Sequence, residues 1–352
     1  MISLKKWNLK GDSDMSESTS ILNFRNLLDK HLWKELQLHT RIHPIILQEK
    51  KVFIKREDEL SSGITGSKYR KYASLIPKIL AEQYDEVVLI GGAKSNNIIA
   101  GMQLFKENNI DFSIYLLENH SKAFQGNDLI RNLLSKNTKV NIITREDWHR
   151  VKALADDDAL KAATLGKRVL VIPEGGMLTE AIPGAMTLAL DIMKNEEEHL
   201  IKFENIFIDS GTGVTAIGLI LGMDYLGIIN RNIHITLIAG TEVEFLENLN
   251  TFREHLKLLF GTPCFSSRNN IYFHLPPIAK SFGSINDSIL KKTIGIAQDY
   301  GILMDPIYSV KHFMSMEHAI VANKIGKELL FIYNGGSIGL MGFSESLARL
   351  LN

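Results

Sequence analysis

The chain has 352 residues, 45% of them hydrophobic, enough for about two domains with buried cores. Lys plus Arg and Asp plus Glu balance at 40 each, so no net charge draws the chain to nucleic acid or an anionic membrane, and a small-molecule partner is expected. The single cysteine, Cys264, allows no intrachain disulfide, and no Cys/His cluster has zinc-ligand spacing, so a reducing compartment and no metal are expected. Residues 1–20 carry charge without an apolar core and read as a loose polar lead-in, not a signal peptide. The stretch AIGLILGMDYLGII is broken by Asp224 and three glycines. No membrane span is expected, and a cytoplasmic protein is.

In chain order, VFIKREDEL reads as a strand that ends in a polar cluster, TGSKYRK at residues 65–71 as a turn, and YASLIPKILAEQY as a helix by its apolar spacing. Lys68 therefore falls where strand and loop hand over to a helix N-terminus. The strands EVVLIGG, DFSIYLLE, KVNIITRE and RVLVIPEGG then alternate with the helical SNNIIAGMQLFKENN, NDLIRNLLSKN and a segment ending near LKAATLGK. A second series runs from the helix AIPGAMTLALDIMKNEEE through NIFIDSG, VTAIGLILGMDYLG, IHITLIAG and EVEFLENLNTFREHLKLLF, and closes with ELLFIYNGG before SESLARLL. This alternation predicts an α/β protein with two open, mostly parallel sheets and flanking helices. The expected division is a small α/β domain at 75–172 inserted into a large domain of 21–74 and 173–352.

In such sheets ligands collect beyond the carboxyl ends of the strands, where helix N-termini and glycine turns converge. Four segments fall there: IGGAKSNN at 90–97, PEGGM at 173–177, DSGTGVTAIGL at 209–219 and YNGGS at 333–337. Ser95 and Asn96 suit a helix cap. Ser210, Gly211, Thr212, Gly213 and Thr215 combine backbone N–H groups, small hydroxyls and a helix start, which is what a phosphate needs. The segment is neither a Walker A sequence nor G-x-G-x-x-G. A phosphate cup, a lysine on a distant loop and polar turns around one cleft together match the needs of pyridoxal 5'-phosphate (PLP): donors for its phosphate, an amine for its aldehyde, and partners for its ring oxygen and nitrogen.

Here the chain resembles the 1-aminocyclopropane-1-carboxylate deaminase and D-cysteine desulfhydrase family, within the tryptophan-synthase-β-like fold of PLP enzymes, also called fold type II. The family's K-R-[DE]-D and G-G-N-K-x-R-K segments are similar to KREDELSSGITGSKYRK, with Ser67 in place of the asparagine. Its G-G-x-Q-S-N turn corresponds to GGAKSNN, its G-S-G-G-T loop to GTGVT, its D-P-[VI]-Y to DPIY at 305–308, and its late T-G-G to NGG, in order from residue 40 onwards. The resemblance implies that Lys68 is the Schiff-base lysine, which then abstracts the Cα proton, and that Lys71 lies near the phosphate. It implies that Asn96 serves the ring oxygen, that Ser95 and Asn97 cap the helix and reach the substrate carboxylate, that Gly211 to Thr215 hold the phosphate, and that Tyr308 faces the substrate's β-substituent. A homodimer is implied as well.

The departures from the pattern bear on the reaction. Ring-opening members carry a glutamate after D-P-x-Y, where this chain has Ser309, and desulfhydrase members place a threonine near the ring nitrogen, where this chain has Asn334. Neither residue is an acid, so the ring is expected to be less firmly protonated, which favours a substrate with a good leaving group. The expected activity is α,β-elimination from a small D-amino acid, D-cysteine to pyruvate, hydrogen sulfide and ammonia. The alternatives are 1-aminocyclopropane-1-carboxylate deamination to 2-oxobutanoate and ammonia, and a noncatalytic PLP- or metabolite-binding protein, the latter suggested by Ser67, Lys94 and Asn334.

Overall fold

The computed structural model describes residues 15–33, 37–63, 66–119, 125–261, 268–322 and 325–351. Cys264, Thr65 and residues 1–14 of the lead-in lie outside them. Helix α1 spans Met15–Leu28 and so takes in the last residues of that lead-in. Its second half buries Phe24 and Leu28.

Strands β1 (Ile42–Leu47) and β2 (Lys50–Arg56) form an antiparallel hairpin with Leu47 opposite Lys50. Its turn residues Gln48 and Glu49 both have positive φ, 49° and 62°, as a tight primed turn requires. A 3-10 segment, Glu57–Gly63, leads to α2 (Lys68–Glu82). Then follow β3 (Glu86–Gly92), α3 (Asn96–Glu107), β4 (Phe112–Leu117), α4 (Asn127–Leu134), β5 (Lys139–Ile143), α5 (Val151–Thr164) and β6 (Val169–Ile172). These four strands make one parallel sheet in the order β5-β4-β3-β6.

The chain continues through α6 (Ile182–His199), β7 (Asn205–Ser210), α7 (Val214–Leu226), β8 (Asn232–Leu237), α8 (Glu242–Phe260) and β9 (Asn270–His274), then α9 (Asp287–Tyr300), α10 (Ser309–Ala322), β10 (Leu329–Tyr333) and α11 (Ser344–Leu351). The second sheet runs β1-β2-β10-β7-β8-β9 and is parallel apart from the hairpin. All five residues of β10 are buried, as expected for a central strand covered on both faces. Helices α6 and α7 press together so closely that a Cβ at Gly222 would lie 2.7 Å from the Met186 carbonyl oxygen. We propose the division into a large domain of 21–74 and 173–352 and a small one of 75–172 from this arrangement, since the strands of the four-stranded sheet run only from Glu86 to Ile172.

One buried ion network ties α2 to the large sheet. The Arg70 guanidinium donates to both Glu57 carboxylate oxygens at 2.6 and 2.7 Å and to Asp191 Oδ2 at 2.7 Å. Lys55 Nζ donates to the same Asp191 oxygen at 2.5 Å and to Asn195 Oδ1 at 2.6 Å. Burial opposes ionisation of Asp191, but Arg70, His39 and Lys55 outweigh it and hold the carboxyl well below the usual range. Each charge here is matched, and removal of a single partner strands the rest in a dry interior. Arg70→Met should therefore lower unfolding free energy by about 3–5 kcal/mol, read as a shift of the urea midpoint at unchanged slope.

Burial also sets an acid limit on stability. His234 stacks on Phe207 at a centroid distance of 4.3 Å, and His312 on Phe331 at 4.4 Å. Burial, with a smaller push from the His274 charge, lowers both imidazoles to about 3. Below pH ~6.5 the unfolded chain takes up protons at these positions that the folded chain refuses, so folded stability falls as pH drops from about 6.5 towards 3. Thermal melts from pH 8 to 4 should show a melting temperature that is flat at the alkaline end with respect to these groups and declines below it. His234→Gln should flatten that acid decline.

Candidate active site

The first turn of α2 is fixed by its neighbour in space. Gly66, at φ 51°, lies against the backbone of Asn334, and Ser67 N–H donates to the Asn334 carbonyl at 3.1 Å. Lys68 thus enters the cleft beside the carboxyl end of β10. It is half-buried and lines a cavity of about 500 Å³. Burial lowers its amine, opposed by the carboxylates of Asp209 and Asp305. An amine so placed gives up its proton more readily than a surface lysine and is a better nucleophile for it.

One end of the cavity is built for an anion. Gly211, Thr212, Gly213, Val214 and Thr215 all line it. Gly213, at φ 97°, is the N-cap of α7 and supplies no side-chain cap, so the first N–H groups of that helix keep their donors for a ligand. Lys71, on the same face of α2, donates to the Gly175 carbonyl. Burial first, then the Lys68 charge, pushes Lys71 well below its ordinary value. A bound dianion beside it would supply the missing counter-charge. Gly175 sits at φ 67°, and a Cβ there would overlap the Thr212 side chain.

The amide-rich wall comes from the small sheet. Ser95 lines the cavity, and its hydroxyl oxygen accepts from Asn97 N–H at 3.2 Å and Ile98 N–H at 3.3 Å, capping α3. Asn96 lines it too, with Oδ1 taken by Asn127 Nδ2 at 2.7 Å, which leaves its own amide N–H groups as donors. Asn97 is buried and lines the cavity, and its Nδ2 has no partner among the described residues. Unpaired buried donors facing a cavity await an acceptor on a ligand.

The third wall holds the acids. Tyr308 lines the cavity, with its ring edge-on to Phe282 at 5.7 Å. Burial, reinforced by Asp305, Asp209 and Glu174, drives the phenol far above its normal range, so it stays neutral. Ser309 does not line the cavity. Its hydroxyl donates to Asp305 Oδ2 at 2.8 Å, because the Asp305 carboxylate caps the start of α10 and draws the serine inward. Asn334 does line the cavity, and its Nδ2 donates to Asp209 Oδ1 at 2.8 Å. Asp209 and Glu174 are cavity-lining carboxylates absent from the sequence expectation. Asp209 left one signal: an acid at the carboxyl end of a buried strand, directly before the glycine turn. Among the described residues no group of three or more His, Cys, Asp or Glu side chains could hold a metal.

An amine held low by burial, an uncapped helix N-terminus with a second buried cation beside it, and unpaired amide donors between them fit PLP at its aldehyde, its phosphate and its ring oxygen. The two-sheet architecture is that of the fold-type II PLP-dependent enzymes. In sequence the chain is similar to 1-aminocyclopropane-1-carboxylate deaminases and D-cysteine desulfhydrases. It is 26% identical over 340 residues to the mitochondrial bifunctional D-cysteine desulfhydrase/1-aminocyclopropane-1-carboxylate deaminase of Arabidopsis thaliana, covering 92% of this chain and 82% of that protein. To the D-cysteine desulfhydrase of Serratia proteamaculans it is 24% identical over 304 residues, covering 84% of this chain and 89% of that one. The crystal structure of an ACC deaminase homologue matches with a TM-score of 0.80 at 24% identity, over 93% of this chain and 98% of the other. No family model matches the chain. No helix among the described residues is long and apolar enough to cross a membrane.

The contact between Gly175 and Thr212 yields a test of the anion end. Gly175→Ala combines a strained positive φ with overlap on the loop, so PLP affinity should fall by about tenfold or more while the fold persists. Absorbance titration with PLP, alongside a circular-dichroism melt, measures both. Unchanged affinity would remove this turn from the cofactor site.

Proposed function

We propose that the chain is a PLP-dependent lyase that eliminates the β-substituent of a small D-amino acid, converting D-cysteine and water to pyruvate, hydrogen sulfide and ammonia. The observation that carries this reading is the Lys68 amine, lowered by burial and set in one cavity with the anion-holding turn of Gly211 to Thr215 and the neutral phenol of Tyr308. Bound PLP supplies an electron-withdrawing ring that acidifies the substrate Cα–H. Lys68 holds the cofactor and then takes the Cα proton. Asn97 and Ser95 orient the substrate carboxylate, Asn96 donates to the ring oxygen, and Lys71 offsets the phosphate charge. Tyr308, kept protonated, donates a hydrogen bond to the departing sulfur.

The same phenol argues against ring opening as the main activity. 1-Aminocyclopropane-1-carboxylate has no Cα hydrogen, so it must be opened at a ring methylene by a nucleophile or a base. A phenol held neutral by burial is a poor nucleophile. Ser309, turned onto Asp305, brings no carboxylate into the cavity behind it. The family resemblance supports a homodimer, the single cysteine supports a reducing, cytoplasmic setting, and the charge balance supports a small-molecule partner.

Borohydride reduction of the purified yellow protein should fix the cofactor to the peptide containing Lys68. D-Cysteine and β-chloro-D-alanine should yield pyruvate, and 2-oxobutanoate from 1-aminocyclopropane-1-carboxylate should be at least tenfold slower. Lys68→Ala should abolish both. Dominant 2-oxobutanoate refutes the desulfhydrase reading, and bound PLP with neither product supports a noncatalytic protein instead.

A further inference from the structure

Resting on the PLP reading, we propose that Asp209 and Asn334 act as a pair that holds the cofactor ring in its protonated form, Asn334 Oδ1 accepting from the ring N–H and the Asp209 carboxylate holding the amide in that orientation. The geometry comes from the sheet. β7 and β10 are parallel neighbours with Phe331 opposite Phe207, so Asp209 and Asn334 leave the sheet side by side although 125 residues separate them. Asn334 is 5% exposed and lines the cavity, Nδ2 donates to Asp209 Oδ1, and Oδ1 is buried with no partner among the described residues. An ionised carboxylate only accepts, so it dictates which end of the amide faces it and leaves the carbonyl end for the cavity.

A buried acceptor without a partner is costly unless a ligand donates to it. PLP bound through its aldehyde, with an ionised phosphate, has one donor left, its protonated ring nitrogen. In PLP that nitrogen lies across the ring from the aldehyde carbon, and Asn334 Oδ1 is a buried acceptor left open in the same cavity that Lys68 and the α7 N-terminus line. Asp209 is the carboxyl beside Asn334: burial raises it, opposed first by the Lys68 charge and then by the Asn334 hydrogen bond, and a cation bound here would oppose that rise further. Glu174 is the other carboxyl group lining this cavity, and Asp305, bonded to Ser309 behind it, acts on Asp209 and Lys68 through its charge. A ring protonated there replaces the positive charge that Lys68 gives up when its amine is engaged. The neutral pair expected from Ser309 and Asn334 is thus replaced by an amide backed by an acid, and the electron sink is stronger than that pair alone would support.

The test uses full-length holoprotein reconstituted with PLP labelled with 15N in the ring, after borohydride mapping has located the cofactor on Lys68. The 15N resonance of the unmodified protein should lie at the pyridinium position near neutral pH. In Asp209→Asn it should move to the unprotonated position, and PLP affinity should drop by about tenfold, with Asn334→Ala behaving alike and the double variant adding little to either. A pyridinium signal unaffected by Asp209→Asn, or an unprotonated ring in the unmodified protein, overturns the inference while leaving Lys68 as the cofactor lysine. Failure to bind PLP, or label on another lysine, overturns the underlying reading and this inference with it. Because the unmodified protein alone can give an overturning result, a variant that misfolds does not shelter the proposal.

Discussion

Everything catalytic in this molecule hangs from the first turn of α2, and that turn is held by the buried charges of Arg70, Glu57, Asp191 and Lys55. Arg70 follows Lys68 by two residues, so the side chains point to different faces: one into the cavity, the other into a network that spans β2, α6 and the segment after β2. Two cations and two carboxylates in a dry interior tolerate little displacement, since each loss of contact exposes a charge with no solvent to receive it. The lysine inherits that rigidity. A reactive amine that must meet a small cofactor needs such positional definition more than it needs stability.

The cleft itself obeys the opposite rule, with charges left incompletely matched. Lys71 donates to the Gly175 carbonyl, the α7 N-terminus has no side-chain cap, and Asn97 and Asn334 bury amide atoms that have no partner among the described residues. In an apolar core each would be a fault. Gathered around one cavity they outline the polar groups of a ligand in negative: an anion at one end, acceptors along one wall, and a donor along the other. Burial lowers Lys68 and raises Tyr308, so one wall offers a base and the other a neutral hydrogen-bond donor. Environments that push two groups apart in this way separate their proton roles.

The alternating helices and strands from Glu86 to Leu237 follow from local pattern, because period 2 and period 3.6 are properties of a few adjacent residues. The edge strand β9 (Asn270–His274) is short and half-exposed, and its apolar residues are too few to separate it from a loop. α9 has a readable start at Asn286, whose side chain accepts from Ile289 N–H at 3.0 Å, yet between β9 and β10 helices and connections mix without the regular alternation that marks the rest. The hairpin partner β1 begins with an exposed and buried mixture around Pro44, which weakens its period.

The sequence by itself determined the alternation of elements, the lysine at a helix start, and the glycine turn before α7, since each is written in a contiguous stretch whose chemistry does not depend on what lies opposite. Motif order added the resemblance to PLP enzymes. Only the tertiary structure decided that Ser309 turns away from the cavity, that Asp209 enters it, and that Asp209 meets Asn334. Those outcomes depend on which strands become neighbours, and strand order brings together residues far apart in the chain through packing that no short window records. An acid at the end of β7 is unremarkable until β10 lies beside it and an amide turns to face it.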